Sequence, residues 1–315
     1  MTAKPVGGGA SAYIFPGQGS QFIGMGMDLY KNSPAAREIF NQVDHVLSMH
    51  FTKLFLEGDE KTLNQTINAQ PAIMTVSLAC LKAMEEFLET SRNPTPTLMA
   101  GHSLGEYTAL VAAGALNLDQ AIVLVRLRGQ LMQQASERTP GGMVAIIGLD
   151  ELCVEKICNN TGVEIANVNS HSQVVISGKP ENLNKAVQIA NTLGARRTIA
   201  LQVSGGFHSS LMKYALDNIA EAMNNLELKD VSTPIVANCT GKPITSSIEL
   251  KQELTLQLCR CVQWQKTVDY MVGNGISNFI EIGPGRVLSG LVKSMHHDVR
   301  VNSVQDLASI KALSF

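Results

Sequence analysis

The sequence lacks the features that mark membrane, nucleic-acid-binding and disulfide-rich proteins. No apolar run approaches the roughly 18 residues that a membrane span needs. Lysine and arginine are scattered, without a block of about five basic residues, and the net charge is −2. The six cysteines contain no C-x-x-C pair, and none stands beside histidines at zinc-ligand spacing. We therefore expect reduced thiols, no metal site, no membrane segment and no nucleic-acid partner.

The first ten residues, MTAKPVGGGA, also lack the apolar segment and the cleavage pattern of a secretory leader. A cytoplasmic location is the expectation that follows. With 315 residues, the chain is long enough for one large domain that carries a smaller one. We expect it to be soluble, globular and monomeric.

Residues 97–116 place a serine in the pentapeptide GHSLG, between a short apolar run and a long segment of helix-forming residues. The pattern G-x-S-x-G is typical of a nucleophile elbow, a strained turn from a strand into a helix. At such a turn Ser103 Oγ stands at the helix N-terminus, beside free backbone N–H groups that could stabilise an oxyanion. The five letters alone also fit an ordinary tight turn, but the helical spacing of Leu104, Tyr107 and Leu110 favours the elbow.

A glycine-rich loop, PGQGSQ, follows the buried strand expected over residues 12–15. It does not fit a dinucleotide fingerprint, because Phe22 stands where glycine or alanine is required, and its Walker-like spacing lacks the lysine. The glycines let the backbone around Gln18 approach a ligand closely.

Apolar periodicity predicts helices over residues 34–49, 70–90 and 118–134. The dipeptide Gln70-Pro71 is expected in the first turn of the second helix, where a proline is tolerated.

Short strands at 234–238 and 279–282 lie between helices, an order that implies a parallel sheet. Residues 143–204 instead run β-α-β-β-α-β, the order of a ferredoxin-like unit. We therefore predict an α/β fold with two subdomains. They are a large α/β-hydrolase-like subdomain of residues 1–138 and 206–315, and an inserted small ferredoxin-like α+β subdomain of residues 139–205.

A serine hydroxyl needs a neighbouring base, and the chain has seven histidines. The six less suited ones are His45, His50, His102, His171, His296 and His297, which lie in polar segments or, for His102, directly beside the serine. His208 follows two glycines at a strand-to-helix connection, where catalytic groups of α/β sheets gather. It is the best candidate base, although a structural role for it stays open. No acid fits a third position, so a Ser–His dyad with the imidazole oriented by a backbone carbonyl is compatible with the chain.

Eight motifs occur along the chain in the order FPGQGSQ, QPAI, GHSLGEY, RLRG, NVNSHSQVVISG, GGFHSSLM, VQW and EIGPGRVLSGL. With these motifs, residues 12–295 closely resemble the malonyl-CoA:acyl-carrier-protein transacylases. The resemblance implies a ping-pong reaction, in which malonyl passes from coenzyme A to a serine ester and then to the phosphopantetheine thiol of a holo acyl carrier protein. It implies malonyl-CoA as substrate and no permanently bound cofactor.

The resemblance also implies roles at the reacting centre. Ser103 is the nucleophile and His208 the base, and Gln257 corresponds to the residue whose main-chain carbonyl orients that histidine. Gln18 and Leu104 correspond to the positions whose backbone N–H groups form the oxyanion hole.

Arg128, in RLRG, corresponds to the arginine that binds the free carboxylate of malonate. A guanidinium can bind a carboxylate through two parallel charge-assisted hydrogen bonds, which lysine cannot reproduce. Arg126, two residues earlier, is expected to extend its side chain to water. The resemblance places five further residues in the acyl or pantetheine pocket: Gln70, His102, Asn167, Asn169 and Phe207.

Two side chains bear on the choice of acyl group. Phe207 stands where this family and its polyketide relatives use phenylalanine with malonyl and often serine with methylmalonyl, since a ring would crowd an α-methyl branch. Leu104 stands where methylmalonyl-type relatives often carry glutamine. Both positions favour malonyl.

Three other functions are compatible with parts of the pattern. A discrete trans-acting acyltransferase that loads a polyketide synthase fits about as well, and the sequence does not choose between the two pathways. An acyl hydrolase would use the same dyad, but relatives that hydrolyse neutral acyl chains tend to lose Arg128. A non-catalytic module that binds a carrier protein would be expected to lack Ser103 or His208.

Overall fold

The structure, a computed structural model, describes residues 10–88 and 95–313. The expectation for the N-terminal segment falls on residues 1–9, which lie outside the described residues. No helix in the described part of the chain is long and apolar enough to cross a membrane. Within the same ranges, no group of three or more His, Cys, Asp or Glu side chains could hold a metal ion.

Strands and helices alternate through most of the chain. The strands are β1 (Ala10–Phe15), β2 (Pro96–Gly101), β3 (Gly142–Ile147), β4 (Glu164–Ser170), β5 (Gln173–Gly178), β6 (Arg197–Ala200), β7 (Ile235–Val236), β8 (Pro243–Ile244), β9 (Ile276–Ile282) and β10 (Arg300–Val304). The helices are α1 (Met27–Asn32), α2 (Pro34–Val46), α3 (Phe51–Glu57), α4 (Glu60–Leu63), α5 (Thr66–Phe87), α6 (Leu104–Ala112), α7 (Leu118–Arg138), α8 (Glu151–Thr161), α9 (Pro180–Thr192), α10 (Lys213–Asn224), α11 (Ser247–Gln257), α12 (Trp264–Gly273), α13 (Val287–Met295) and α14 (Leu307–Lys311). A short 3-10 turn, Ser210–Met212, precedes α10.

The larger sheet has, in the described residues, six strands in the order β10-β9-β1-β2-β7-β8. Neighbouring strands pair in parallel, except that β8 runs antiparallel to β7. In the middle strand β1, Ala12, Ile14 and Phe15 are fully buried, as expected of a parallel strand that is covered on both faces. The carboxyl ends of β1, β2, β7 and β9 meet at one edge, where open α/β sheets bind their ligands. The predicted α/β fold with a parallel sheet is confirmed.

The smaller sheet is antiparallel, in the order β4-β5-β3-β6. With α8 after β3 and α9 after β5, this is the ferredoxin-like arrangement that the sequence predicts. Alternate residues of a strand face opposite ways. Val144 and Ile146 therefore pack with α8 and α9, whereas Met143 and Ala145 pack into the core around the larger sheet.

The edge strand β4 is joined by backbone hydrogen bonds to the segment between α11 and α12. Val168 N donates to Val262 O at 2.9 Å, and Val262 N donates to Ala166 O at 2.9 Å. These bonds occupy the free edge of β4 and fix it against the larger unit. The side chains of Asn167 and Asn169 on β4 are thereby held beside the carboxyl edge of the larger sheet.

The helix α5 begins at Thr66, so Pro71 lies inside it and not in its first turn as predicted. The prediction is wrong because tertiary packing overrides the local signal. Gly129 of α7 lies against the first turn of α5, since a Cβ on Gly129 would be 2.7 Å from Thr66 O. This close approach buries Thr66 and Asn68 in helical conformation. The predicted end of the helix at residue 90 lies outside the described residues.

Candidate active site

Ser103 lies between the carboxyl end of β2 and the first turn of α6, as the N-cap residue of that helix. Its φ of 51° and ψ of −104° are strained for a residue with a side chain, at a cost of roughly 1–3 kcal/mol. The flanking glycines are required for space. A Cβ on Gly101 would lie 1.8 Å from the carbonyl carbon of Gly105, and a Cβ on Gly105 would lie 2.1 Å from Phe15 O. Larger residues would push α6 away from β1 and β2.

The Ser103 hydroxyl contacts the imidazole of His208, which reaches the elbow from the loop before the 3-10 turn. Ser103 Oγ lies 2.8 Å from His208 Nε2, and His208 Nδ1 lies 2.8 Å from the main-chain oxygen of Gln257. Because a carbonyl oxygen only accepts, Nδ1 carries the proton and Nε2 presents its lone pair to the serine. No carboxylate in the described ranges is hydrogen bonded to His208, so a backbone carbonyl orients this pair.

The surroundings of His208 keep its imidazole neutral. They lower its pKa from 6.5 to about 3, chiefly because burial penalises the charged form and secondly because Arg128 is positive. The hydrogen bond to Gln257 opposes the shift, and His102 makes a smaller contribution in the same direction as Arg128. At neutral pH the imidazole is therefore able to accept the serine proton.

The guanidinium of Arg128 is the third group at the serine. Its Nη2 donates to Ser103 Oγ at 3.1 Å and to Gln257 Oε1 at 2.9 Å, and its Nη1 donates to Gln70 Oε1 at 2.6 Å. The side chain is 1% exposed and lies over the ring of Tyr107. Within the described residues it forms no ion pair with a carboxylate, and its Nε has no hydrogen-bond partner. The nearest carboxylate, Glu106, is separated from the guanidinium by the carboxamide of Gln257. A buried cation that forms no direct ion pair is a strong receptor for an anion.

The carboxamide of Gln257 ties these groups together. Besides accepting from Arg128, it donates through Nε2 to Ser103 O at 2.9 Å and to the carboxylate of Glu106. Glu106 is buried in the first turn of α6, where burial raises the pKa of its carboxyl and Glu253 adds to the rise. One residue thus contacts the cation, the serine and, through its main chain, the histidine.

Two backbone N–H groups at the elbow, those of Leu104 and Gln18, have no acceptor in the part of the chain that the structure describes. The neighbouring N–H of Ser103 donates instead to Asn238 Oδ1 at 2.7 Å. Leu104 occupies the first position of α6, where an N–H has no partner within the helix. Free backbone donors of this kind can stabilise a developing oxyanion.

The loop of residues 16–21 lies directly against the elbow. A Cβ on Gly17 would be 2.4 Å from His102 O, so the backbone approach depends on glycine there. Gly19 has a φ of 103°, a conformation that favours glycine. The two glycines therefore let the backbone on both sides of Gln18 pack closely beside the elbow.

A cavity of about 190 Å³ lies beside the elbow, between the larger and smaller sheets. Its polar walls include Gln18, His102, Asn167 and Asn169. His102 Nε2 is 2.9 Å from Asn169 Oδ1, and its ring packs against that of Trp264. Asn167 Oδ1 is buried and has no hydrogen-bond partner among the described residues. Three of the five predicted pocket residues thus line one cavity.

The other two predicted pocket residues lie elsewhere. Gln70 is buried behind Arg128 and donates through Nε2 to Met132 Sδ at 3.2 Å. Phe207 is buried and precedes His208 in the chain, but it does not line the cavity. Gln70 therefore positions the guanidinium rather than forming a wall of this cavity.

Arg126, which was expected to extend to water, is only partly covered. It is half-buried, its guanidinium lies over the ring of Phe51 at 5.7 Å, and its Nη1 is buried without a partner among the described residues. Phe51 of α3 covers this part of α7, and the attraction between cation and ring offsets part of the lost hydration.

Three contributors to the site were not predicted from the sequence: Asn238, Glu106 and the side chain of Gln257. Asn238 and Glu106 are buried, and both are hydrogen bonded at the elbow. The available signal for Asn238 was its place at the end of the strand expected over 234–238. A polar residue at the carboxyl end of a parallel strand lies at the ligand-binding edge.

An α/β fold that presents a serine to a buried, neutral histidine at a strand-to-helix turn defines the class of serine-dependent acyl-transfer enzymes. Residues 12–312 match the family model of the acyl transferase domain. A malonyl CoA-acyl carrier protein transacylase from Bacillus subtilis (strain 168) is 41% identical over 305 residues, which cover 95% of each chain. One from Staphylococcus aureus (strain MRSA252) is 39% identical over 306 residues, which cover 96% of this chain and 97% of the relative.

Solved structures of similar proteins belong to the same family. An acyl-carrier-protein-S-malonyltransferase from Bartonella henselae superposes with a TM-score of 0.91 at 38% identity, over 96% of this chain and 98% of its own. A malonyl-transacylase solved in complex with a type II PKS acyl-carrier protein has the same TM-score, identity and coverage. The chain belongs to the malonyl CoA-acyl carrier protein transacylase family of acyl transferases.

Proposed function

We propose that this enzyme moves malonyl from malonyl-CoA to the phosphopantetheine thiol of a holo acyl carrier protein, through a malonyl ester on Ser103. The observation that supports the proposal best is the buried guanidinium of Arg128, which contacts the serine and forms no direct ion pair with a carboxylate among the described residues. A malonyl group supplies such a partner through its free carboxylate. A neutral acyl chain leaves the cation unpaired.

The first half-reaction forms the ester. His208 Nε2 accepts the proton of Ser103 Oγ as the oxygen attacks the thioester carbonyl of malonyl-CoA. The N–H groups of Gln18 and Leu104 donate to the oxyanion that develops. When the tetrahedral intermediate collapses, the coenzyme A sulfur leaves and takes the proton from His208.

The second half-reaction runs the same steps in reverse on a different thiol. His208 accepts the proton of the phosphopantetheine thiol, and the sulfur attacks the ester carbonyl. The same two N–H groups stabilise the oxyanion, and Ser103 Oγ leaves with the proton from His208. One histidine therefore acts as base and acid in each direction.

The cavity beside the elbow suits the pantetheine arm that both substrates share. Asn167 and Asn169 line the cavity, and the amide groups of the arm can exchange hydrogen bonds with side-chain carboxamides. Because coenzyme A and the holo carrier protein present the same arm, one cavity serves both half-reactions. The arm would enter between the large subdomain and the small subdomain, for which we propose the boundaries 139 and 205. A monomeric enzyme and a cytoplasmic location stay predictions.

The pKa of His208 leads to a prediction for the pH dependence of acylation. Because the pKa is lowered to about 3, the imidazole stays neutral as the pH falls through the usual histidine range. We expect kcat/KM for acylation by malonyl-CoA to stay level from about pH 8 down to about pH 5, without the decline near 6.5 of an ordinary histidine. Single-turnover acylation at each pH measures this, with circular dichroism as the control for folding. A decline centred near pH 6.5 would contradict the assignment.

Label exchange tests the covalent route itself. The enzyme is mixed with malonyl-CoA and isotopically labelled free coenzyme A, without carrier protein. An ester intermediate predicts that label enters malonyl-CoA, since the labelled coenzyme A thiol can attack the Ser103 ester and form malonyl-CoA again. Exchange that requires a carrier protein would refute the proposed route, and Ser103→Ala provides the blank.

The identity of the carrier is a separate measurement. One relative of this fold is solved in complex with a type II PKS acyl-carrier protein, so both kinds of carrier are candidates. Transfer rates to a fatty-acid carrier and to a polyketide carrier, compared at equal concentration, would assign the pathway of this enzyme.

A further inference from the structure

Asn238 spans the backbone of the elbow from the neighbouring strand. It lies two residues beyond β7, which pairs in parallel with β2 through Ile235 and Met99. Its Oδ1 accepts from Ser103 N at 2.7 Å, and its Nδ2 donates to Gly101 O at 2.7 Å. One carboxamide therefore contacts the peptide groups on both sides of the turn.

Asn238 is itself held at both of its backbone groups. Its N–H donates to Glu106 Oε1 at 3.0 Å, and its carbonyl oxygen accepts from Gln263 N at 2.7 Å. Its side chain is fully buried, so neither hydrogen bond to the elbow competes with water. The carboxamide thus has a fixed position relative to α6 and to the start of α12.

This arrangement acts on two features of the reaction. Ser103 keeps a positive φ that a serine adopts only when the surrounding structure enforces it, and the bond from its N–H to Asn238 enforces it. The same bond removes Ser103 N from the donors that face the substrate. The oxyanion is then left to Leu104 N and Gln18 N.

We propose that Asn238 is a positioning residue for the acylation step. It holds Ser103 so that Oγ meets His208 Nε2 and Leu104 N faces the reacting carbonyl. Asparagine suits this position because the elbow offers one donor and one acceptor. Aspartate would place an oxygen against Gly101 O, and leucine would leave both backbone groups unsatisfied. The inference rests on the proposed role of Ser103 as nucleophile.

The test compares Asn238→Leu and Asn238→Asp with the wild type in rapid-quench acylation by malonyl-CoA. We expect the acylation rate constant to fall about 10- to 100-fold in each, since a displacement of about 1 Å at a reacting atom can cost about 100-fold. The KM for malonyl-CoA should change less than about threefold, because Arg128 and the cavity are untouched. If Asn238→Leu does not fold, Asn238→Asp carries the test alone.

Asn278→Leu is the matched control. Asn278 is also a buried carboxamide, and it donates through Nδ2 to Ser11 Oγ at 3.0 Å at the opposite edge of the sheet. This variant should lower the melting temperature and leave the acylation rate constant unchanged. A folded Asn238 variant that acylates within about twofold of wild type, or that loses rate only through KM, would overturn the inference. If the wild type forms no Ser103 ester in the same assay, the proposed function fails instead.

Discussion

Replacing His208 with alanine should slow formation of the malonyl ester by about 100- to 10,000-fold, the usual worth of a positioned general base. Among the residues that the structure describes, no other base reaches Ser103 with comparable geometry. His208 Nε2 is 2.8 Å from Ser103 Oγ, whereas His102 is hydrogen bonded to Asn169. The KM for malonyl-CoA should change little, because the imidazole does not bind the carboxylate. Rapid-quench acylation, with the ester counted by mass spectrometry, measures the effect.

His171→Ala is the matched control for that prediction. His171 is exposed in the turn between β4 and β5, and its removal should leave acylation at the wild-type rate. His102→Ala tests the neighbouring imidazole, which we expect to affect the cavity more than the proton transfer. Near-normal acylation by the His208→Ala variant would exclude His208 as the base.

Replacing Arg128 with alanine should lower acylation by malonyl-CoA about 100- to 5,000-fold. Removing one partner of a buried ion pair costs about 3–5 kcal/mol, and each 1.36 kcal/mol is a factor of ten. The loss should be selective. Acetyl-CoA has no carboxylate to pair with the guanidinium, so its acylation rate should fall far less or rise. The measurement is the ratio of kcat/KM for the two thioesters, which should approach one in the variant.

Two further variants distinguish the effect of the positive charge of Arg128 from the effect of its guanidinium geometry and from general effects of a substitution in α7. Arg128→Lys keeps a cation but cannot donate in parallel to both carboxylate oxygens, so it should recover only part of the malonyl preference. Arg126→Ala, on the same helix, removes a half-buried guanidinium that lies over Phe51 and should leave the preference unchanged. A variant without Arg128 that still prefers malonyl as the wild type does would rule out the guanidinium as the source of selectivity.

The local parts of this site follow from the sequence. The glycines around Ser103 have one spatial explanation, since Gly101 and Gly105 pack against each other and against β1. The β-α-β-β-α-β order of residues 143–204 likewise predicts the antiparallel unit. In both cases the signal lies within one continuous stretch of the chain.

The site residues that the sequence did not predict depend on contacts between segments that are distant along the chain. Asn238 reaches Ser103 only because β7 adds to the edge of β2, a register that no local pattern specifies. The side chain of Gln257 meets Arg128 because α11 ends against α6 and α7, so its carboxamide has no sequence signature. Pro71 is a case in which a local pattern misleads. A proline is ordinarily found in the first turn of a helix, but packing against Gly129 makes α5 begin earlier, at Thr66.

The proposed mechanism requires that malonyl is held as an ester on Ser103 between the two half-reactions. The direct measurement is to incubate the wild-type enzyme with malonyl-CoA, quench in acid and locate the adduct by peptide mass spectrometry, with Ser103→Ala as control. The mechanism predicts one malonyl group on the peptide that contains Ser103, absent from the variant and lost when a holo acyl carrier protein is added before quenching. An adduct on another residue, or transfer to the carrier by the Ser103→Ala variant at the wild-type rate, would contradict it.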